Sequence, residues 1–188
     1  MNTVETMLKT AAGNGILEYI KELLRGCDRE YEALEQACLS AARDLGGLEE
    51  ILALKDRQIT GDLWFAGWQG MKLNLENFRS LLGSKLLKLD YPDLLREHIM
   101  ITMPCHREAD RELEQMLTGM TPQQREALAP VDEYYAHLET VGLKLAHYLG
   151  LQLGDTLYPM VEPGYVSDSG ALWRYRQELE QYLEFSLD

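Results

Sequence analysis

The chain has 188 residues, of which 46% are hydrophobic and 26% charged, proportions typical of a folded globular protein. Its 31 acidic residues outnumber the 18 basic ones, for a formal net charge of −13. Nucleic acids and anionic membranes bind basic surfaces, so this charge argues against both and permits docking on a basic protein. Acidity that serves only solubility is the alternative interpretation.

The three cysteines, Cys27, Cys38 and Cys105, form no C-x-x-C pair. An odd number of widely spaced cysteines predicts reduced thiols in a cytoplasmic protein. The N-terminus has no basic region followed by an apolar run, so we expect no signal peptide. No window approaches 18 uninterrupted apolar residues, so we expect no membrane span.

Helical periodicity and breaking residues divide the first half of the chain into segments. The predicted helices cover residues 16–26, 28–45, 48–59 and 62–82. Gly26 is expected to end the first, Asp28 to cap the second, and Gly46-Gly47 to stop it. Thr60-Gly61-Asp62 predicts either a break, with Asp62 as an N-cap, or only a kink.

The segment 62–82 is the one around which we expect the first half to fold, because it carries two of the three tryptophans on one apolar face. That face comprises Leu63, Trp64, Trp68, Met71, Leu75, Phe78 and Leu82. Gly67, Gly70 and Asn74 are small residues at helical spacing within it. They predict either the close approach of a ligand or, as we favour, close packing of another helix.

The second half of the chain is also predicted to be mostly helical. Predicted helices cover residues 90–103 and 105–117, and Thr121-Pro122-Gln123-Gln124 is a capping-box signature. A long helix is expected from there through Leu151, bent near Pro130. Residues 154–170 lack periodicity and predict an extended surface arm, and a last helix is expected over 171–185. The fold class is therefore all-α, a compact bundle of six to eight helices in a single domain, 1–188.

Three short matches suggest an internal duplication. An offset of 80 aligns Leu63 with Leu143 and Ala66 with Ala146, and offsets of 78 and 79 align Cys27-Asp-Arg-Glu and Leu34-Glu-Gln with later segments. Two related helical hairpins, 27–82 and 105–158, would then place their long helices side by side at the centre. Chance similarity between helical sequences is the alternative.

No catalytic, nucleotide or metal-binding motif stands out in the sequence. Glu133 and His137 are four residues apart on one predicted helical face, as metal ligands can be. A second loose group contains His98, Cys105, His106 and Asp110. Zinc sites usually show tighter paired spacing, so we expect no cofactor and no metal. A helical metal-dependent enzyme remains one alternative.

The last third of the chain concentrates acidic and aromatic residues. Residues 126–188 hold eleven acidic residues against three basic ones. Tyrosine and tryptophan among carboxylates are typical of an interface that presents negative charge around aromatic anchors. We therefore predict partner contacts from Glu162, Tyr165, Asp168, Trp173, Glu178, Glu180 and Glu184. Packing of the aromatic residues over the ends of the central helices is the alternative.

These patterns predict a non-enzymatic acidic protein that inhibits or regulates a basic, nucleic-acid-binding partner. Carboxylates spaced along a helix can act as a nucleic-acid mimic at sites built for phosphates. Phage-encoded counter-defence inhibitors of CRISPR nucleases are also small, acidic and free of motifs, which is a similarity of type with no residue match behind it. The alternative of another class is a self-associating structural or adaptor protein, such as a homodimer.

Overall fold

The structure, a computed structural model, describes residues 15–46, 48–82 and 108–161. Within these ranges it consists of six packed helices and contains no strand, which confirms the all-α fold class. In chain order the helices are α1 (Gly15–Cys27), α2 (Arg29–Leu45), α3 (Glu49–Leu82), α4 (108–118), α5 (Pro122–Ala127) and α6 (Ala129–Val161). None of the helices in the described ranges is long and apolar enough to cross a membrane.

Three helix ends lie where local chemistry predicts them. The Asp28 carboxylate accepts hydrogen bonds from the backbone amides of Glu30 and Tyr31 at the start of α2. Gly46 follows the end of α2 with a φ of 58°, a left-handed conformation that favours glycine. Thr121 and Gln124 form the predicted capping box at the start of α5. These helix boundaries are therefore set by residues within one turn of them.

Of the two alternatives predicted at Thr60-Gly61-Asp62, a break or only a kink, the break with Asp62 as an N-cap is wrong, because α3 is one helix from Glu49 to Leu82. The Thr60 hydroxyl donates to the carbonyl of Asp56, one turn back, at 2.6 Å and is satisfied within the helix. Ile59 and Leu63, on either side of Gly61, are both buried. Burying these two side chains outweighs the roughly 1 kcal/mol that a helical glycine costs.

Two predicted features of the last long helix also need correction. The helix after Thr121 is not one bent helix. It is interrupted at Leu128, two residues before Pro130, near which the bend was predicted, and Pro130 lies in the first turn of α6. The first part of the predicted surface arm, residues 154–161, is helical because α6 extends to Val161. The absence of hydrophobic periodicity in these residues indicates only that they have no regular apolar face. It does not predict the end of the helix, because adding residues to an existing helix costs little free energy. Residues 162–170 lie outside the described ranges.

Helices α3 and α6 form the centre of the packing and run parallel. Lys55 faces Asp132 and Asp56 faces Tyr135 near their starts, at sequence separations of 77 and 79 residues. Further along the pair, Gly70 lies directly against the backbone of His147. The predicted side-by-side arrangement of the long helices is thus confirmed, and Gly70 serves close helix packing as favoured.

The core lies between this pair and the faces of α1 and α2. Leu63 and Trp64 of the organising segment are buried as predicted, whereas the side chains of Trp68 and of residues 71–82 lie outside the described part of the structure. The largest fully buried side chains are Leu17, Ile20, Leu24, Tyr31, Ile51, Leu63, Leu128, Leu138 and Leu145. They come from α1, α2, α3 and α6 and from the turn at Leu128, so these elements share one core.

Candidate functional site

A surface groove runs between α3 and α6 and divides into two adjoining parts that share Asp62 and Glu139; we call it the acidic groove. Its polar half encloses about 330 Å³ and is lined by Lys55, Gln58, Ile59, Asp62, Asp110, Asp132, Tyr135, Ala136 and Glu139. Its apolar half encloses about 390 Å³ and is lined by Asp62, Phe65, Ala66, Gln69, Glu139, Leu143, Lys144 and His147. Four carboxylates from three helices therefore face one groove.

Direct contacts between helices fix the walls of the polar half. Lys55 of α3 pairs with Asp132 of α6 at 2.7 Å, and its ammonium lies 5.5 Å from the centroid of the Tyr135 ring. Gln58 of α3 donates a hydrogen bond to Asp110 of α4. The Tyr135 hydroxyl reaches back to Asp56 and to the carbonyl of Leu52. These bridges hold Asp110 and Asp132 in place and join the helices that carry the groove carboxylates.

The polar half carries surplus negative charge. Burial, together with the negative charges of Glu139 and Asp110, raises the pKa of the Asp62 carboxyl above its ordinary value. Lys55 is already paired with Asp132, so the charges of Asp62, Glu139 and Asp110 oppose one another. A cation that entered the groove would relieve this repulsion, which makes the groove chemically suited to ammonium or guanidinium groups.

The apolar half presents an accessible aromatic ring. Phe65 is 40% exposed, while Ala66 and Leu143 beside it are buried and half-buried. Burial lowers the pKa of His147 at the far end and so favours its neutral form. This half is thus suited to an apolar side chain, with Lys144 the cationic residue on its lining.

A separate cluster of polar residues, buried except for Arg25, is satisfied by its own members. The Tyr31 and Tyr134 hydroxyls are 2.9 Å apart, and the Tyr31 hydroxyl also donates to Glu35 at 3.3 Å. Glu35 accepts three hydrogen bonds from Arg25, the shortest of them 2.8 Å. Desolvation raises the pKa of Tyr31, which keeps its hydroxyl protonated. These contacts join α1, α2 and α6 and serve the fold.

The residues considered as metal ligands are not brought together where the structure describes them. His137 Nε2 lies 2.8 Å from Asp28 Oδ2, so this imidazole joins α6 to the N-cap of α2, while Glu133 is exposed. Among the described residues, no group of three histidine, cysteine or acidic side chains could hold a metal ion. His98, Cys105 and His106 lie outside the described ranges.

The predicted partner contacts lie outside the described ranges. These seven residues are Glu162, Tyr165, Asp168, Trp173, Glu178, Glu180 and Glu184. The groove was not among the sequence predictions, in which Asp62 was only a helix cap or kink position. One usable signal was the spacing of Asp132 and Glu139, which are two helical turns apart beside the buried face of α6.

No family model, no curated protein and no solved structure matches this chain.

Proposed function

We propose that this protein is a non-enzymatic binding protein that docks its acidic surface on a basic partner and thereby inhibits or regulates a nucleic-acid-binding protein. The observation that carries the proposal is the crowding of Asp62, Asp110 and Glu139 at one groove, where their mutual repulsion contributes to the raised pKa of Asp62. A lysine or arginine of a partner would be attracted there and would replace repulsion by pairing.

Inhibition would follow from competition for charge. A protein that binds nucleic acid presents lysine and arginine side chains where phosphates lie, and closely spaced carboxylates can occupy the same positions. The net charge of −13 would speed the encounter with such a surface. The comparison with counter-defence inhibitors of nucleases is one concrete form of this proposal, and it rests on the type of protein alone.

The acidic end of the chain supplies a second part of the proposed contact surface. Glu162, Asp168, Glu178, Glu180 and Glu184 would add negative charge, and Tyr165 and Trp173 would act as aromatic anchors. This part remains a prediction from sequence. It can be separated from the groove by mutating each set of carboxylates independently.

We also propose that α3 and α6 derive from an internal duplication of 27–82 and 105–158. Leu63 lies against Gly142, and Gly67 approaches the backbone of Ala146. These facing residues are 79 apart in sequence, close to the offset of 80 that aligns the two segments. A parallel helix pair in matching register supports a pseudo-twofold arrangement.

The proposed function is tested by affinity capture from the lysate of a host cell with immobilised protein, washed in a series of salt concentrations. A nucleic-acid-binding partner should elute as salt rises, because its attraction to the groove is electrostatic. The double variant Asp62→Asn/Glu139→Gln should retain less partner than wild type at every salt concentration. Glu133→Gln, an exposed carboxylate of α6 that does not line the groove, is the matched control.

Four results would contradict the proposal or the role that it gives to the groove. Capture that is insensitive to salt would exclude binding by charge. Equal capture by the double variant and the Glu133→Gln control would exclude the groove as the binding surface. Loss of capture only in Glu178→Gln/Glu180→Gln would assign binding to the acidic end of the chain. Recovery of the bait alone at every salt concentration would favour self-association.

A further inference from the structure

The apolar half of the acidic groove offers a binding surface that charge alone does not use. Phe65, which is 40% exposed, forms an apolar floor together with Ala66 and Leu143. The cavity above this floor has a volume of about 390 Å³. This floor adjoins the carboxylates directly, because Asp62 and Glu139 line both halves. A single occupant could therefore meet negative charge and apolar surface together.

The two walls present these features in the same order. On α3 the acidic Asp62 is followed one helical turn later by Phe65 and Ala66, and on α6 Glu139 is followed one turn later by Leu143. At about 1.5 Å of rise per residue, the charged and apolar positions are about 4.5–6 Å apart along each wall. Because α3 and α6 run parallel, the charged positions lie at one end of the groove and the apolar ones at the other.

This spacing matches one face of an amphipathic helix. Side chains three or four residues apart on a helix lie about 5–6 Å from one another along the same face. A partner helix with a lysine or arginine at one position and a large apolar residue one turn away would place both groups correctly. Binding of an amphipathic helix in a groove between helices is a recurrent mode of protein recognition.

We propose that the acidic groove binds a basic amphipathic helix of the partner protein. Its apolar anchor would lie against Phe65 and Leu143, and its lysine or arginine side chains one turn away would pair with Asp62 and Glu139. This inference rests on the proposed function and adds the chemistry of the partner segment. Charge complementarity selects a basic helix over a second copy of this chain, whose net charge of −13 would repel the first.

The test measures fluorescence anisotropy with two labelled synthetic helical peptides of about four turns. Both carry the same lysines, and they differ only in having leucine or alanine one turn from each lysine pair. The wild-type protein should bind the leucine peptide about tenfold more tightly, as expected when an anchor residue is buried. Phe65→Ala should abolish this preference, while Tyr19→Ala, which alters an aromatic residue 48% exposed on α1, should leave it intact.

Each result separates this inference from the proposed function. Equal affinity for both peptides, with both losing affinity in Asp62→Asn/Glu139→Gln, would overturn the apolar anchor and leave charge-based docking standing. Absence of binding to either peptide would overturn the inference, and the affinity capture above would then decide the proposed function alone. Sedimentation velocity of the protein alone tests whether a second copy of the chain occupies the groove. A dimer that Phe65→Ala dissociates would overturn the inference and assign the groove to that second copy.

Discussion

Replacement of Gly70 by alanine tests the closest contact between the two central helices. A Cβ atom at position 70 would overlap the carbonyl oxygen of His147 and would lie 2.7 Å from its Cδ2. Ordinary contacts between heavy atoms are about 3.5 Å or longer. The obstructing oxygen belongs to the backbone of α6, so α3 and α6 would have to separate by more than about 1 Å at this level.

The expected cost follows from two opposing effects. Forcing extra atoms into a well-packed contact destabilises a protein by about 1–3 kcal/mol, and an obstruction by backbone favours the upper end of this range. Alanine recovers about 1 kcal/mol of helix propensity relative to glycine. Gly70→Ala should therefore lower the free energy of unfolding by about 2 kcal/mol. In a protein of this size that corresponds to a fall in Tm of about 4–8 °C.

Gly67→Ala is the matched control, because a Cβ there would meet the Ala146 carbonyl at 3.4 Å, an ordinary contact. With no obstruction to offset the propensity gain, this variant should be as stable as wild type or more stable by up to about 1 kcal/mol. Urea unfolding followed by circular dichroism at 222 nm measures both variants. A Gly70→Ala protein as stable as Gly67→Ala would refute the close approach of α3 and α6 at His147.

Three further predictions concern individual side chains. Asp28→Ala should lower the free energy of unfolding by about 2 kcal/mol, because it removes the N-cap of α2 and the hydrogen-bond partner of His137. A urea unfolding curve identical to that of the wild type would contradict this. Cys27 is exposed, whereas burial raises the pKa of the Cys38 thiol to about 11. A thiol reagent at neutral pH should therefore modify Cys27 rapidly and Cys38 only upon unfolding. Mass spectrometry of the labelled peptides measures both reactions. Asp62→Asn should raise the free energy of unfolding at neutral pH by less than about 1 kcal/mol. The folded state holds the Asp62 proton more tightly than the unfolded chain, so the stability of the wild type falls as pH rises through the raised pKa of Asp62. The advantage of the asparagine variant should therefore disappear below the ordinary pKa of a carboxyl group. A stability difference between variant and wild type that does not change with pH would contradict this.

The parts of the fold that sequence could predict are those determined within one helical turn. Asp28, Gly46 and Thr121 mark helix ends through their own hydrogen bonds or backbone conformation. The continuity of α3 across Gly61 depends instead on tertiary burial of its neighbours, which a propensity argument does not include. The extension of α6 to Val161 was missed because periodicity reports an apolar face and not the helical backbone itself.

The acidic groove could not be predicted because its carboxylates come from three separate helices. Asp62 lies on α3, Asp110 on α4, and Asp132 and Glu139 on α6. The register of α3 against α6 brings Asp62, Asp132 and Glu139 together, and it depends on contacts such as that of Gly70 with His147. The hydrogen bond from Gln58 holds Asp110 of α4 beside them. Each carboxylate taken singly resembles any solvated residue on a helix surface.

The partners of the carboxylates distinguish the groove from the contacts between helices. Away from the groove, Arg25 pairs with Glu35 and His137 hydrogen-bonds with Asp28, and these contacts help to hold helices together. At the groove, the pKa of Asp62 is raised by burial and by its acidic neighbours, so its charge opposes folding. Natural proteins commonly tolerate such destabilisation at sites that must bind something. Greater stability and weaker binding of a basic helix in the same Asp62→Asn protein would therefore identify the groove as a surface retained for a cationic partner.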